Sequence, residues 1–223
     1  MCSRRIFWVA QLALLCWLAG PQARAQAPTV SPNQWVQRLQ TKYDEIQSFS
    51  AHFRQIFRGP YLEIEESGNV WMKRPGKMRW EYEQPSTKLF ISDGVKIYFY
   101  VPKDNQVMVA DLSLDLQDMP LLFLIGRGDI QENFQVELDP KEDPLAAGNP
   151  MLRLTPRKIQ AHFSFLIVEI DPALVVIRRL AIIEPLGNRN DYILTGWREN
   201  LRIDNNKFRF QIPAGVEVLQ TGS

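Results

Sequence analysis

Cysteine is almost missing from this chain: Cys2 and Cys16 are the only two, and both lie within the first 25 residues. That stretch reads as removable, so the remaining chain has no thiol, which excludes a disulfide framework, a cysteine nucleophile and a thiolate metal site. Histidine is equally scarce, with only His52 and His162. Both read as ordinary strand residues, and no carboxylate spacing completes a metal cluster around either. Neither a metal nor another cofactor is expected. Also missing are G-x-S-x-G, a P-loop, H-E-x-x-H and G-x-G-x-x-G. The acid pairs Glu65-Glu66 and Glu142-Asp143 read as solvated surface, because strand neighbours point to opposite faces. The expectation is no catalytic residue and no enzyme.

A charge excess is missing as well. Arg4, Arg5 and Arg24 leave with the first 25 residues, so 23 of the 26 basic residues face 25 acids, a formal −2. That balance provides no electrostatic footprint for nucleic acid or for an anionic membrane.

The single long apolar run, Ile6 to Gly20, follows Arg4-Arg5 and leads to Ala23-Arg24-Ala25. This is the build of a secretory signal cut before Gln26. Gln11 interrupts the run and Pro21 ends it, against a membrane-spanning helix. Ser3-Arg4-Arg5-Ile6-Phe7 also resembles a twin-arginine export signal, which leaves the export route open. Lipid attachment at Cys16 is the rival reading, disfavoured by Leu15 before it and Trp17 after it. Residues 1–25 are therefore expected to be removed, leaving 26–223, or 198 residues, as one domain.

Within that domain, Ser31-Pro32-Asn33-Gln34 is a helix start with a capping-box pattern. Trp35, Val36, Leu39, Tyr43 and Ile46 follow on one helical face. From Ser48 onward the period changes to 2: Phe49, Ala51, Phe53 and Phe57 alternate with polar residues, which favours a strand although the Phe spacing also fits a helix. Short strand signals continue through Leu62–Ile64, Val70–Met72, Met78–Tyr82 and Leu89–Ser92, then Val95–Tyr100 beyond the hairpin dipeptide Asp93-Gly94. Others are Val107–Ala110, Phe134–Leu138, Met151–Leu154, Phe163–Ile170, Val175–Ile183, Tyr192–Arg198 and Phe208–Ile212. About eleven strands without regular intervening helices predict a curved antiparallel sheet or barrel. Met119 to Gly126 reads as a brief, wholly apolar helix, and Asp139 to Pro150 as a surface loop.

Several of these residues form an ordered series: Lys73-Arg74-Pro75, Trp80, Pro85, Ser92-Asp93-Gly94, Tyr98, Tyr100, Pro102 and Gln106. Pro120 to Gly126, Leu154-Thr155-Pro156-Arg157 and Phe208-x-Phe210-x-x-Pro213-x-Gly215-Val216 continue it. In order and spacing the series resembles that of the outer-membrane lipoprotein carrier family, from about Trp35 to Val218. The resemblance implies an α+β fold: an incomplete, unclosed antiparallel β-barrel with a lid of short helices over an apolar cavity. The first helix and Pro120–Gly126 would belong to the lid.

The resemblance further implies a monomeric periplasmic chaperone for acylated lipoproteins. It would take them from an ATP-driven releasing complex in the inner membrane and pass them to an outer-membrane receptor lipoprotein. A same-fold lipoprotein sensor, or the receptor itself, is the alternative. Arg74 matches the family arginine that ties barrel to lid; from the residues alone, Lys73 to Lys77 is a basic turn. Trp71, Met78, Trp80, Ile91, Leu121, Leu122 and Leu124 are candidates for cavity and lid lining, and ordinary core packing would account for each individually. Met78 stands where the family often has an aromatic residue, a flexible replacement suited to varied apolar shapes. Such a carrier answers a physical need, since exposing an acyl chain costs about 0.8 kcal/mol per CH₂, or roughly 12 kcal/mol for about fifteen groups.

Overall fold

The computed structural model describes residues 30–112, 129–139 and 141–220; the expected leader and Met119–Gly126, with Leu121, Leu122 and Leu124, lie outside them. Helix α1 (Pro32–Glu45) starts where the capping box predicts. Gln34 N–H donates to Ser31 Oγ at 3.3 Å and Ser31 N–H to Gln34 Oε1 at 2.8 Å, satisfying two of the donors a helix start leaves open.

The strands that follow are β1 (Ser48–Arg58), β2 (Glu63–Lys73), β3 (Lys77–Gln84), β4 (Lys88–Asp93), β5 (Lys96–Val101) and β6 (Gln106–Asp111). After the short helix α2 (Ile130–Asn133) come β7 (Phe134–Leu138), β8 (Met151–Pro156), β9 (Phe165–Asp171), β10 (Val176–Ile183), β11 (Arg189–Glu199) and β12 (Glu217–Gln220). They form one sheet in the order β12-β6-β5-β4-β3-β2-β1-β11-β10-β9-β8-β7. It is an open sheet: two antiparallel meanders, β1–β6 and β7–β11, joined along β1 and β11. At the Asp93-Gly94 turn, Gly94 has φ 100°, and Asp93 Oδ1 accepts from the N–H groups of Val95 and Lys96 at 2.8 Å.

The C-terminal region departs from the sequence reading. Phe208–Ile212 forms no ladder; a short 3-10 turn at Asn205–Phe208 precedes extended chain instead. Phe208 is buried, and Phe210 lies 5.5 Å from Tyr98 and 5.4 Å from Tyr100 between ring centroids. Its alternation therefore serves packing onto the sheet's outer face rather than strand pairing. The twelfth strand forms later, at Glu217–Gln220, parallel to β6.

Curvature is visible in the side chains. Three strand spacings separate β3 from β11, about 14 Å in a flat sheet, yet the rings of Trp80 and Tyr192 have centroids 5.7 Å apart. The sheet thus curls toward the face carrying Phe49, Phe53, Val70, Met72, Met78 and Trp80. Val36, Leu39, Tyr43 and Ile46 of the α1 segment pack into that concavity, in one cluster with Leu152, Leu166, Val168, Leu180 and Leu194 of the other meander.

Candidate functional site

The end of α1 is held to the β2–β3 turn by Arg74. Its Nε donates to the carbonyl of Ile46 at 2.9 Å and its guanidinium also donates to the carbonyl of Tyr43, while its backbone N–H reaches Gln47 O at 2.9 Å. Asp44 Oδ1 stands 3.6 Å from the same guanidinium. These carbonyls belong to the last turn, where a helix leaves four acceptors without intrahelical partners and where positive charge is favoured. Arg74 supplies both needs with a fork that cannot be deprotonated.

Two further ties reach the other meander. The Ile177 N–H of β10 donates to Tyr43 Oη at 3.3 Å, and burial raises the Tyr43 phenol far above its usual range. Lys42 Nζ meets Glu199 Oε1 of β11 at 2.7 Å, and that hydrogen bond holds the Glu199 carboxyl below the ordinary glutamate value. The contribution of this pair is complete above about pH 4.3 and is lost as the pH falls through the lowered folded-state value. Trp197 Nε1 donates to the other Glu199 oxygen at 3.3 Å. An acid titration followed by indole fluorescence is therefore expected to show a transition below the ordinary glutamate range that Glu199→Gln abolishes; an unchanged transition in that variant would assign it elsewhere.

Beyond the helix, part of the concave face stays hollow. A cavity of about 280 Å³ is lined by Gln55, Glu66, Trp80, Tyr82, Lys88, Phe90, Phe99 and Tyr192, at the lower end of the ~300–1,000 Å³ usual for ligand pockets. Phe53, Tyr82 and Trp80 meet edge to face, with both Phe53 centroid separations at 4.8 Å. Strand pairing then carries an apolar row outward: Val70 opposite Trp80, Trp80 opposite Phe90, Phe90 opposite Phe99, Phe99 opposite Met108, Met108 opposite Leu219. Exposure rises along it from 0 % at Val70 to 42 % at Met108 and 39 % at Leu219. A larger hollow of about 520 Å³ lies along the outer side of α1, but Gln34, Gln37, Arg38, Lys42 and Glu45 line it and offer little to an apolar ligand.

Residues 44–211 match the family described as Outer membrane lipoprotein carrier protein LolA. The chain belongs to the outer-membrane lipoprotein carrier family. It is 31% identical over 189 residues to the outer-membrane lipoprotein carrier protein of Chromohalobacter salexigens, across 83% of this chain and 87% of that one. To the protein of the same name in Azotobacter vinelandii it is 31% identical over 201 residues, or 89% and 94% of the two chains. A crystal structure of an uncharacterized conserved protein from Thermus thermophilus shares the fold, with TM-score 0.54 at 12% identity over 85% of this chain and 98% of that one.

Against the lining set expected of this carrier-family chain, Met78 and Trp80 do lie on the concave face, Met78 in the packed part with α1 and Trp80 at the hollow. Trp71 and Ile91 do not. They share the opposite face with Arg79, through the pairs Trp71 with Arg79 and Arg79 with Ile91. That face is covered by the C-terminal segment: Lys207 Nζ sits 3.6 Å from the Trp71 ring centroid and Arg79 donates to Lys207 O at 3.2 Å. The reason is the two-residue period of a strand, since Trp71 has the opposite parity to Val70 and Met72, and Ile91 to Phe90. The hollow's own residues Phe90, Phe99, Tyr82 and Tyr192 escaped the sequence reading. Carrying the Met78-Trp80-Tyr82 alternation across the turn at Pro85 and then across the Asp93-Gly94 hairpin leads to Phe90 and Phe99. Tyr192 depends on the closure of β1 onto β11, which no local signal announces.

Proposed function

We propose that this chain is a non-enzymatic periplasmic carrier that shelters the acyl chains of lipoproteins. It is exported with residues 1–25 removed, and works as a monomer. Its cargo is released by an ATP-driven complex of the inner membrane and handed to an outer-membrane receptor. The observation that carries this reading is the apolar row on the concave face, opening from the Trp80 hollow and becoming more exposed toward Met108 and Leu219. An apolar face left partly open serves a passenger that must be covered and later surrendered. Family membership supplies the class of passenger.

The test is lipoprotein release from inner-membrane vesicles by the purified mature chain, with mass spectrometry of its N-terminus and of any copurifying acylated peptide. The wild type is expected to release lipoprotein into solution. Phe90→Asp sets a charge on the half-buried wall of the hollow and is expected to lower binding of a fluorescent acyl probe at least tenfold, because charge is costly where water is excluded. Equal binding by this variant would remove the hollow from the site, and no release by the wild type would remove the carrier reading.

A further inference from the structure

The hollow is apolar along one side and polar along the other. Tyr82 Oη donates to Gln55 Oε1 at 2.8 Å, Lys88 pairs with Glu66 and lies 4.8 Å from the Tyr82 ring centroid, and Asn190 Nδ2 donates to Tyr192 Oη at 3.2 Å. Burial raises the Tyr82 phenol well above its usual range and pushes the Tyr192 phenol up to about 12, so both remain neutral. Tyr82, Gln55, Lys88 and Glu66 thus find partners at the rim, while Asn190, outside the lining, keeps a buried Oδ1 without one among the described residues. Among the lining residues Trp80 stands apart: its Nε1 is buried and has no hydrogen-bond partner among the described residues. Its indole has the rings of Phe53 and Tyr192 edge-on at 4.8 and 5.7 Å, and ring faces are weak acceptors.

A buried donor left open costs stability, and native proteins retain few of them. Here the open donor lies where the apolar row begins, one pleat from the polar row of Tyr82 and Lys88. Resting on the carrier reading, we propose that the Trp80 indole N–H is the anchor for the carbonyl of an acyl ester or amide. The hollow is then a polarity-reading subsite. It receives the carbonyl end of the ligand, whose hydrocarbon tail follows Phe90, Phe99 and Met108 toward β12, while Glu66 and Lys88 face the ligand's polar backbone. A plain hydrocarbon would fill the same row and leave the donor unanswered.

Three neutral probes with one chain length and one glycerol-like headgroup isolate the linkage: 1-palmitoylglycerol, its 1-O-hexadecyl ether, and the corresponding palmitoyl amide. Binding to the full mature chain is measured for wild type and Trp80→Phe, which keeps an aromatic ring and removes the N–H. For the wild type, the ester, the amide or both are expected to bind about five- to tenfold tighter than the ether, the worth of one neutral hydrogen bond. The tighter of the two names the linkage. In Trp80→Phe all three are expected to fall within twofold of one another, whatever their common affinity. The indole ¹H–¹⁵N resonance absent from Trp80→Phe should move downfield with the preferred probe and stay in place with the ether. Equal wild-type affinity for all three, or a preference that survives Trp80→Phe, overturns the proposal and leaves the carrier reading standing. Failure of every probe to bind overturns both.

Discussion

Replacing Arg74 by leucine is expected to leave the twelve-stranded sheet folded, to preserve loading with lipoprotein, and to slow handover to the outer membrane at least tenfold. The argument starts from the carbonyls of Tyr43 and Ile46, which Arg74 satisfies at the end of α1. Hydrogen bonds to a charged donor are worth about 1.5–3 kcal/mol each at most, and Arg74 is a quarter exposed, so the loss in helix docking should be about 1–2 kcal/mol after screening. That is too small to unfold a domain with a core of this extent. It is large enough to raise the undocked population of α1 about tenfold. The helix packs on the concave face next to the hollow, and cargo that outgrows the hollow must displace it, so a helix that docks less well competes less well, and cargo is retained. Arg74→Lys should recover only part of the function, because a point charge does not reproduce the fork that spans two carbonyls. Hydrogen exchange at residues 43–47 would register the loosened helix, and reconstituted transfer the functional loss. Transfer at the wild-type rate in Arg74→Leu would take Arg74 out of the cycle.

Gly68→Ala is expected to have the largest effect on stability, a loss of about 3 kcal/mol or more. A Cβ at Gly68 would sit 1.8 Å from the carbonyl oxygen of Glu81, 2.8 Å from its carbon and 3.0 Å from Tyr82 Cα, all of them backbone atoms of the adjacent strand. No rotamer relieves such a clash, so β2 and β3 must separate at a point where their register already shifts. In a domain of about 200 residues this corresponds to a fall in Tm of roughly 6–12 °C. Acyl binding should fall with it, because Glu66 and Trp80 stand on these two strands. Gly148→Ala supplies the contrast, since its φ of 90° strains the backbone while the added carbon meets nothing within 4 Å, so any loss there measures strain without a clash. If thermal and urea unfolding of Gly68→Ala lay within about 1 kcal/mol of wild type, the close approach of the strands would be in error.

What could be read in advance, and what could not, divides along physical lines. The capping box, the apolar face of α1 and the Asp93-Gly94 turn depend on neighbours within four residues, and each forms as its residues dictate. Arg74 was named only through family resemblance, because its partners Tyr43 and Ile46 lie about thirty positions away and no periodicity links them. Trp71 and Ile91 fall outside the expected lining because strand parity turns them to the face opposite Val70, Met72 and Phe90. Phe208 and Phe210 alternate like a strand, yet Phe208 is buried and Phe210 packs over Tyr98 and Tyr100, a distinction that depends on where the sheet's outer face needs cover. The polar rim of Gln55, Glu66 and Lys88 was invisible for a related reason. Each is an ordinary surface residue type until the sheet curls and brings three separate strands together.

The unpaired margins of the sheet have a mechanical outcome. In a closed barrel, strand number and shear fix the girth, so widening it means breaking backbone hydrogen bonds. Among the described residues the ladders of the two meanders are joined only along β1 and β11, and β7 and β12 stand at opposite borders. Small changes of twist at each of eleven strand pairs can add up to a wider or narrower trough with every ladder intact. The molecule can thereby spread to the calibre of its load, like a hand opening from the palm.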